Sequence, residues 1–402
     1  MFQLNRHADY GKALDPADAE ALGAAASENA ERYLAWRGSL EPTPLHSLPA
    51  LAAELGLGAL HIKDEGYRLG LGSFKALGGS YAVVCLVLEE AARRLGRPVT
   101  LDEAQTPEVR AIASEMTVAC ATDGNHGRSV AQGAEMVGAQ AAIFVHAGVT
   151  DERVAAIARF GARMIRVEGT YDDSIAEASR MAAEEGWTVV SDTSWPGYER
   201  IPALVMQGYT VMVREALRQL PAPPTHVFVQ AGVGGVAAAV AGYLSLALGE
   251  ERPTFVVVDP SRAACLFESA RAGRPVKVAH GEPTVMAMLE CYEPSLIAWR
   301  VLSRVADGFM TVEEEDAVAA MNCLARPAGD DPAIAAGESG GAGLAGLLRA
   351  VADPEVRRAL NLDGASRAFV INTEGPTDAE RYRQLVGMPP EAVVSTAGGD
   401  RG

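Results

Sequence analysis

Apolar and polar positions along residues 116–195 change period in a regular way. MTVACAT (116–122) is a continuous apolar run, and GRSVAQGAEMVG (127–138) follows with apolar residues at helical spacing. AQAAIFVH (139–146) and ARMIRVEG (162–169) read as further strands, and WTVVSDTSW (187–195) as a strand running into a loop. DERVAAIARFG (151–161) and YDDSIAEASRMAAEEG (171–186) read as the helices between them. Strands joined by helices through short links predict parallel βαβ units.

The same pattern extends outward. Residues 14–36 predict one helix with Asp15 as N-cap and Pro16 at its first position. Residues 40–56 predict a loop and a short helix, and ALHIKDEG (59–66) a strand ending in a charged turn. From Phe74 the spacing turns helical, which puts Lys75 at a helix N-terminus. Residues 197–220 bridge to a second part, and the prolines of PAPPTHV (221–227) mark a boundary. HVFVQAGVGG (226–235) predicts a strand entering a glycine loop, followed by a helix. PTFVVVDP (253–260) and RAFVINTEGPTD (367–378) add strands, and the last dozen residues are expected to fray. The fold class is α/β: two domains, each a mostly parallel twisted sheet covered by helices. Residues 1–80 with 218–402 make the large domain and 81–217 the small one.

Composition leaves this picture intact and removes some functions. A chain of 402 residues exceeds what one core usually supports. Its net charge of −17 repels nucleic acid and anionic membrane. No apolar run reaches the roughly 18 residues of a membrane span, and MFQLNRHADYGKAL lacks a signal-peptide core. A cytoplasmic protein is expected. The five cysteines show no CxxC and no metal-ligand spacing, so no metal is expected. Cys265 and Cys291 are candidates for neighbouring loops, but a reducing compartment opposes a disulfide.

The candidate chemistry starts at Lys75, in GSFKALGG (72–79). A lysine among small residues at a helix start is poorly explained as solvated surface. Its amine can condense with an aldehyde cofactor, of which pyridoxal phosphate is the common one. AGVGG (231–235) follows a strand, so the backbone N–H groups of Gly232, Val233, Gly234 and Gly235 can cradle a phosphate. The loop lacks the full GxGxxG and GxxxxGK[ST] patterns, which favours a single phosphate over a dinucleotide or ATP. In ATDGNHG (121–127) the glycines permit close backbone approach, and Asn125 can reach a cofactor ring oxygen. Asn372 or Thr373, after an apolar strand, can give the pyridine nitrogen a neutral partner. Such a partner makes the ring a weaker electron sink than a carboxylate would, which suits elimination over transamination.

Together these strings resemble the fold type II pyridoxal-phosphate enzymes, which include serine and threonine dehydratases and the tryptophan synthase β chain. The resemblance covers roughly residues 40–386. It rests on KDEGYRLGLGSFKALGGSYA, ATDGNHGRSVA, YDDS, SDTSWPGYERIP, MQGY, QAGVGG, DDPAIAAGESGGAGL and INTEGPTD. Within the family these strings are most similar to ammonia-lyases acting on 2,3-diaminopropionate. The resemblance implies that Lys75 holds the cofactor, Asn125 touches its ring hydroxyl and residues 232–235 bind its phosphate. It implies substrate-binding and proton-transfer roles for Asp123 and Asp192. It also implies substrate contacts from Ser73, Thr122, Gly124, His126 and Tyr171, an active site between the domains, and a homodimer. Two positions depart from the family pattern: Asn372 stands where serine is expected, and Pro376 where aspartate is.

Asp123 decides the expected substrate, because related dehydratases usually carry serine there. 2,3-Diaminopropionate has a β-amine where serine has a hydroxyl. A carboxylate offers that amine, when cationic, a charge-assisted hydrogen bond, and can also move a proton. Asp192 supplies a second carboxylate at a strand end, while Asp172 and Asp173 read as helix caps. The expected reaction is α,β-elimination to pyruvate and two ammonia, on both the L and D forms. The competing readings are a dehydratase or other β-elimination or β-replacement enzyme, a non-catalytic ligand-binding regulator, and a nicotinamide oxidoreductase.

Overall fold

Alternating strands and helices build two sheets in the computed structural model, which describes residues 1–122 and 124–397. In chain order the strands are β1 (Phe2–Leu4), β2 (Leu45–Ser47), β3 (Ala59–Asp64), β4 (Thr117–Ala121), β5 (Gln140–His146) and β6 (Arg163–Val167). They continue as β7 (Thr188–Val189), β8 (His226–Gln230), β9 (Thr254–Pro260), β10 (Gly308–Val312) and β11 (Arg367–Asn372). The chain divides into two compact units. The first holds Met1–Ala24, Pro42–Phe74 and Met212–Gly402, and the second holds Ala25–Glu41 and Lys75–Val211.

The first unit carries a seven-stranded sheet in the order β1-β10-β9-β8-β11-β3-β2. Its inner strands run parallel, and the two edge strands, β1 and β2, pair antiparallel. HVFVQ and GFMTV are buried at every position, the reading expected of parallel strands covered on both faces. Phe228, Val256, Val258, Met310 and Val370 are among the residues the sheet gives to the core, and Leu344 and Leu347 come from the Ala342–Ala352 helix. Neighbouring β8 and β11 end at Gln230 and Asn372, and Asp64 at the end of β3 is the register partner of Asn372. The glycine loop, the Asn372–Thr373 corner and the turn after Asp64 therefore share the carboxyl edge of one sheet, where open α/β sheets bind ligands.

A buried ion network fixes that turn. Arg68 is 1 % exposed and donates to Glu65 through Nε (2.8 Å) and Nη2 (2.8 Å), and to Glu215 through Nη1 (2.9 Å) and Nη2 (2.6 Å). Lys63, fully buried, adds a pair to Glu215 at 3.0 Å. Two cations face two carboxylates, so no charge is left uncompensated. The Asp64 and Arg68 anchors flank the start of the segment that leads to Ser73 and Phe74. Phe74 N–H then donates to the Thr373 carbonyl at 3.0 Å.

The second unit carries a parallel four-stranded sheet, β6-β5-β4-β7. Two of its helices, Lys75–Leu95 and Asn125–Val137, cross at very short range. A Cβ on Gly79 would meet Ser129 Oγ at 2.9 Å, and one on Gly133 would meet the Ser80 Cα at 2.7 Å. Gly78 likewise leaves room for the Tyr209 ring, 2.5 Å from where its Cβ would stand. The small residues after Lys75 thus serve helix packing, and they hold together the two helices that begin with Lys75 and Asn125.

Several elements differ from the sequence expectation. Residues 14–36 form two helices, Pro16–Leu22 and Ala24–Trp36, because Gly23 takes an extended conformation at ψ 177°. Asp15 caps nothing with its side chain; its carboxylate pairs with Arg300 (3.4 Å) and Arg304 (3.0 Å). The strand expected to run into a loop within 187–195 is the short β7, after which the chain leaves the sheet. Of the segment expected to fray, residues 391–397 belong to the helix Pro390–Ala397, and residues 398–402 lie outside the described residues. Among the described residues no helix is long and apolar enough to cross a membrane, and no group of three or more acidic, His or Cys side chains could hold a metal. None of the five cysteines is in a disulfide.

Candidate active site

In the second unit, Lys75 opens its helix and its Nζ donates to Asp192 Oδ2. The two side chains are 22 % and 15 % exposed, so the pair is shielded but reachable. Burial pushes the Asp192 carboxyl up, but the Lys75 ammonium outweighs it and holds the group well below the usual carboxylate range. Tyr198 aims this carboxylate. Its hydroxyl donates to the Val189 carbonyl at 2.8 Å and accepts the Ser191 N–H at 3.0 Å, pinning the chain as it leaves β7.

The Asn125 turn is tied from below. Thr122 Oγ1 accepts the N–H groups of Gly124 and Gly127, both at 3.0 Å. Asn125 is the first residue of its helix and is buried. His126 Nε2 meets the Val190 carbonyl at 2.8 Å; a carbonyl only accepts, so Nε2 carries the hydrogen and Nδ1 is a bare acceptor. Nδ1 is buried and has no hydrogen-bond partner among the described residues. Burial lowers the His126 pKa, although Asp192 opposes the shift, so the imidazole stays neutral. Asp123 lies outside the described residues. Tyr171 opens the Tyr171–Glu185 helix, whose N-cap is Thr170 with Asp173 completing the capping box.

In the first unit the glycine loop follows β8 and leads into the 14-residue helix Gly235–Leu248. Gly234 is its N-cap at φ +97°, a conformation a side chain would strain. A Cβ on Gly232 would meet Cys291 Sγ at 2.8 Å, and one on Gly234 would meet Ala298 and Leu266 at 3.0 Å. With no side chains in the way, the N–H groups at this helix start form a cradle that fits a phosphate. Ser73 is buried in this same unit and bridges Glu374 across a short antiparallel contact. Gln230 Nε2 faces Thr373 Oγ1 at 2.7 Å and the Gly340 carbonyl at 2.7 Å.

Each unit carries groups that suit pyridoxal phosphate: the second has an amine for the aldehyde and a buried amide at a helix start, and the first has a cradle for the phosphate and buried polar groups for the ring. A model of pyridoxal-phosphate dependent enzymes matches residues 37–373. The chain belongs to this family. The family assignment extends to close relatives. Diaminopropionate ammonia-lyase of Escherichia coli K12 is 39 % identical over 362 residues, covering 88 % of this chain and 89 % of the relative. The crystal structure of the E. coli lyase with an aminoacrylate–PLP azomethine reaction intermediate superposes with a TM-score of 0.85 at 34 % identity, over 96 % of both chains. Its complex with D-serine gives 0.86 at 34 % identity, again over 96 % of both.

Three positioning residues of this pyridoxal-phosphate enzyme escaped sequence reasoning: Tyr198, Gln230 and Asp64. Gln230 and Asp64 each close a buried strand with a polar side chain, a signal the sequence does carry. Tyr198 gave none, since its role depends on a hydrogen bond back to β7.

Proposed function

We propose that this chain removes ammonia from 2,3-diaminopropionate by α,β-elimination, using pyridoxal phosphate. The balanced reaction takes one diaminopropionate and one water to one pyruvate and two ammonia. The Lys75–Asp192 pair carries the reading, with the 39 % identical E. coli lyase in support. Bound at Lys75, the cofactor supplies an electron sink for the carbanion left when Cα loses its proton.

The chain's own groups do the rest. Gly232, Val233, Gly234 and Gly235 bind the phosphate, Asn125 the ring hydroxyl, and Asn372 with Thr373 the ring nitrogen side. Lys75 Nζ takes the Cα proton from one enantiomer and Asp123 from the other. Asp192 Oδ2 holds the proton of the Lys75 ammonium, and Asp123 binds the β-ammonium through a charge-assisted hydrogen bond. Ser73, Thr122, Gly124, His126 and Tyr171 contact the substrate. The working form is a cytoplasmic homodimer; light scattering of the purified protein is expected to give the mass of two chains, and a monomer mass would contradict the dimer.

Replacing Lys75 by Ala is expected to abolish both the visible absorption of the lysine-bound cofactor and pyruvate formation; a variant that keeps both contradicts the proposal. Asp123→Ser is expected to keep the visible absorption and lower turnover of diaminopropionate by about 10²-fold or more. Unchanged rates on both enantiomers would remove Asp123 from the mechanism.

A further inference from the structure

Asn372 and Asp64 end the adjacent parallel strands β11 and β3, and they are register partners. Asn372 Nδ2 donates to Asp64 Oδ1 at 2.7 Å. The same oxygen accepts the Gly66 N–H at 3.0 Å. A carboxylate oxygen only accepts, so Asp64 decides how the amide faces. The NH2 group is committed, and only the carbonyl oxygen of Asn372 remains for another partner. That oxygen is buried in a residue 1 % exposed and has no hydrogen-bond partner among the described residues. An acceptor left so is costly, and it calls for a donor from outside the chain. It belongs to the carboxyl edge of the sheet that also carries the glycine loop.

We infer that Asn372 Oδ1 accepts a hydrogen bond from the ring nitrogen of pyridoxal phosphate and so holds that nitrogen protonated, with Asp64 as the positioning residue that fixes the amide. This rests on the cofactor reading above. A hydroxyl at this corner can donate to a bare nitrogen; an amide whose NH2 is held by a carboxylate cannot. Asn372 therefore does more than the neutral partner expected from the sequence, because a protonated ring is the stronger electron sink. Other titratable groups surround the pair. His46 Nε2, on β2, is 3.6 Å from Asp64 Oδ2. Lys63 and Glu65 are engaged with Glu215 and Arg68, and Glu338 and Glu374 are buried in the flanking segments.

The test is the ¹⁵N resonance of ring-labelled pyridoxal phosphate bound to the full-length protein. The wild type is expected to show the upfield resonance of a protonated pyridine. Asn372→Ser is expected to move it downfield to the bare-nitrogen position. Asp64→Asn, which lets the Asn372 amide turn, is expected to shift it the same way, a change that a merely structural role for Asp64 would not produce. A bare-nitrogen resonance in the wild type overturns the inference whether or not either variant folds. A protonated resonance in folded Asn372→Ser overturns it as well, and one in folded Asp64→Asn removes Asp64 from it. Failure of the wild type to develop the visible absorption of lysine-bound cofactor defeats the cofactor reading itself, and is told apart by that missing band.

Discussion

Asp192 is the residue on which the elimination chemistry is most sharply defined. Its carboxyl is buried enough to favour the neutral acid, yet the Lys75 ammonium keeps it ionised. Its folded pKa lies below the unfolded one. The pair's stabilisation is therefore present above the ordinary carboxylate range and is lost only as pH falls through the depressed value. Asp192 stays a carboxylate across neutral pH. Asp192→Asn should leave the visible absorption of the bound cofactor in place and lower kcat by about 10²- to 10⁴-fold, the usual range for a removed acid–base group. Steady-state kinetics beside the absorption spectrum check this, and a kcat within a few-fold of wild type contradicts it. His126 shows where residue types alone fell short. The sequence offered a histidine beside Asn125; its bond to the Val190 carbonyl puts the hydrogen on Nε2, and burial keeps the ring neutral with Nδ1 as the acceptor.

Elements were legible wherever the period was clean. The βαβ run from β4 to β6 emerged nearly as expected, because apolar strands there alternate with amphipathic helices. Residues 261–366 were not legible: β10 and the helices Cys265–Ala272, Leu296–Val305, Glu314–Ala325 and Ala342–Ala352 went unread. Glu314–Ala325 and Ala342–Ala352 are rich in alanine, which marks either period weakly, and β10 is buried at every position; Leu296–Val305 does carry an apolar face at helical spacing, a signal that went unread. The Cys265–Ala272 helix among them is held by a testable charge. Asp259, at the end of β9, accepts the N–H groups of Leu266 (2.9 Å) and Phe267 (2.8 Å) and so anchors the Cys265–Ala272 helix. Burial pushes its carboxyl up to about 8, against the pull of those two donors. The folded state thus keeps a proton that the unfolded chain loses near pH 4. Stability from this group falls as pH rises from about 4 to about 8 and is flat above that. Urea midpoints measured from pH 5 to about 8 should fall with pH in the wild type and fall less in Asp259→Asn. Equal slopes in the two proteins would contradict this.

At the scale of the whole molecule, the fold class was readable from sequence, and the site was readable only in part. The motifs named the lysine, the Asn125 turn and the glycine loop. They noted small residues after Lys75 without giving the reason for them; Gly78 and Gly79 are there to let helices touch. They did not reveal Asp64, Gln230 or Tyr198, which act by holding other residues in place through contacts distant in sequence. The acidic balance of the chain, −17, opposes anionic partners and leaves a small zwitterionic or cationic substrate unopposed. The central claim is that the β-leaving group is an amine. The most direct measurement is pyruvate and ammonia released from L- and D-2,3-diaminopropionate, L- and D-serine and L-threonine under the same conditions. The account predicts two ammonia per pyruvate from diaminopropionate, with a higher kcat/KM than for any hydroxy amino acid. A higher kcat/KM on serine or threonine, or no pyruvate from either form of diaminopropionate, would contradict it.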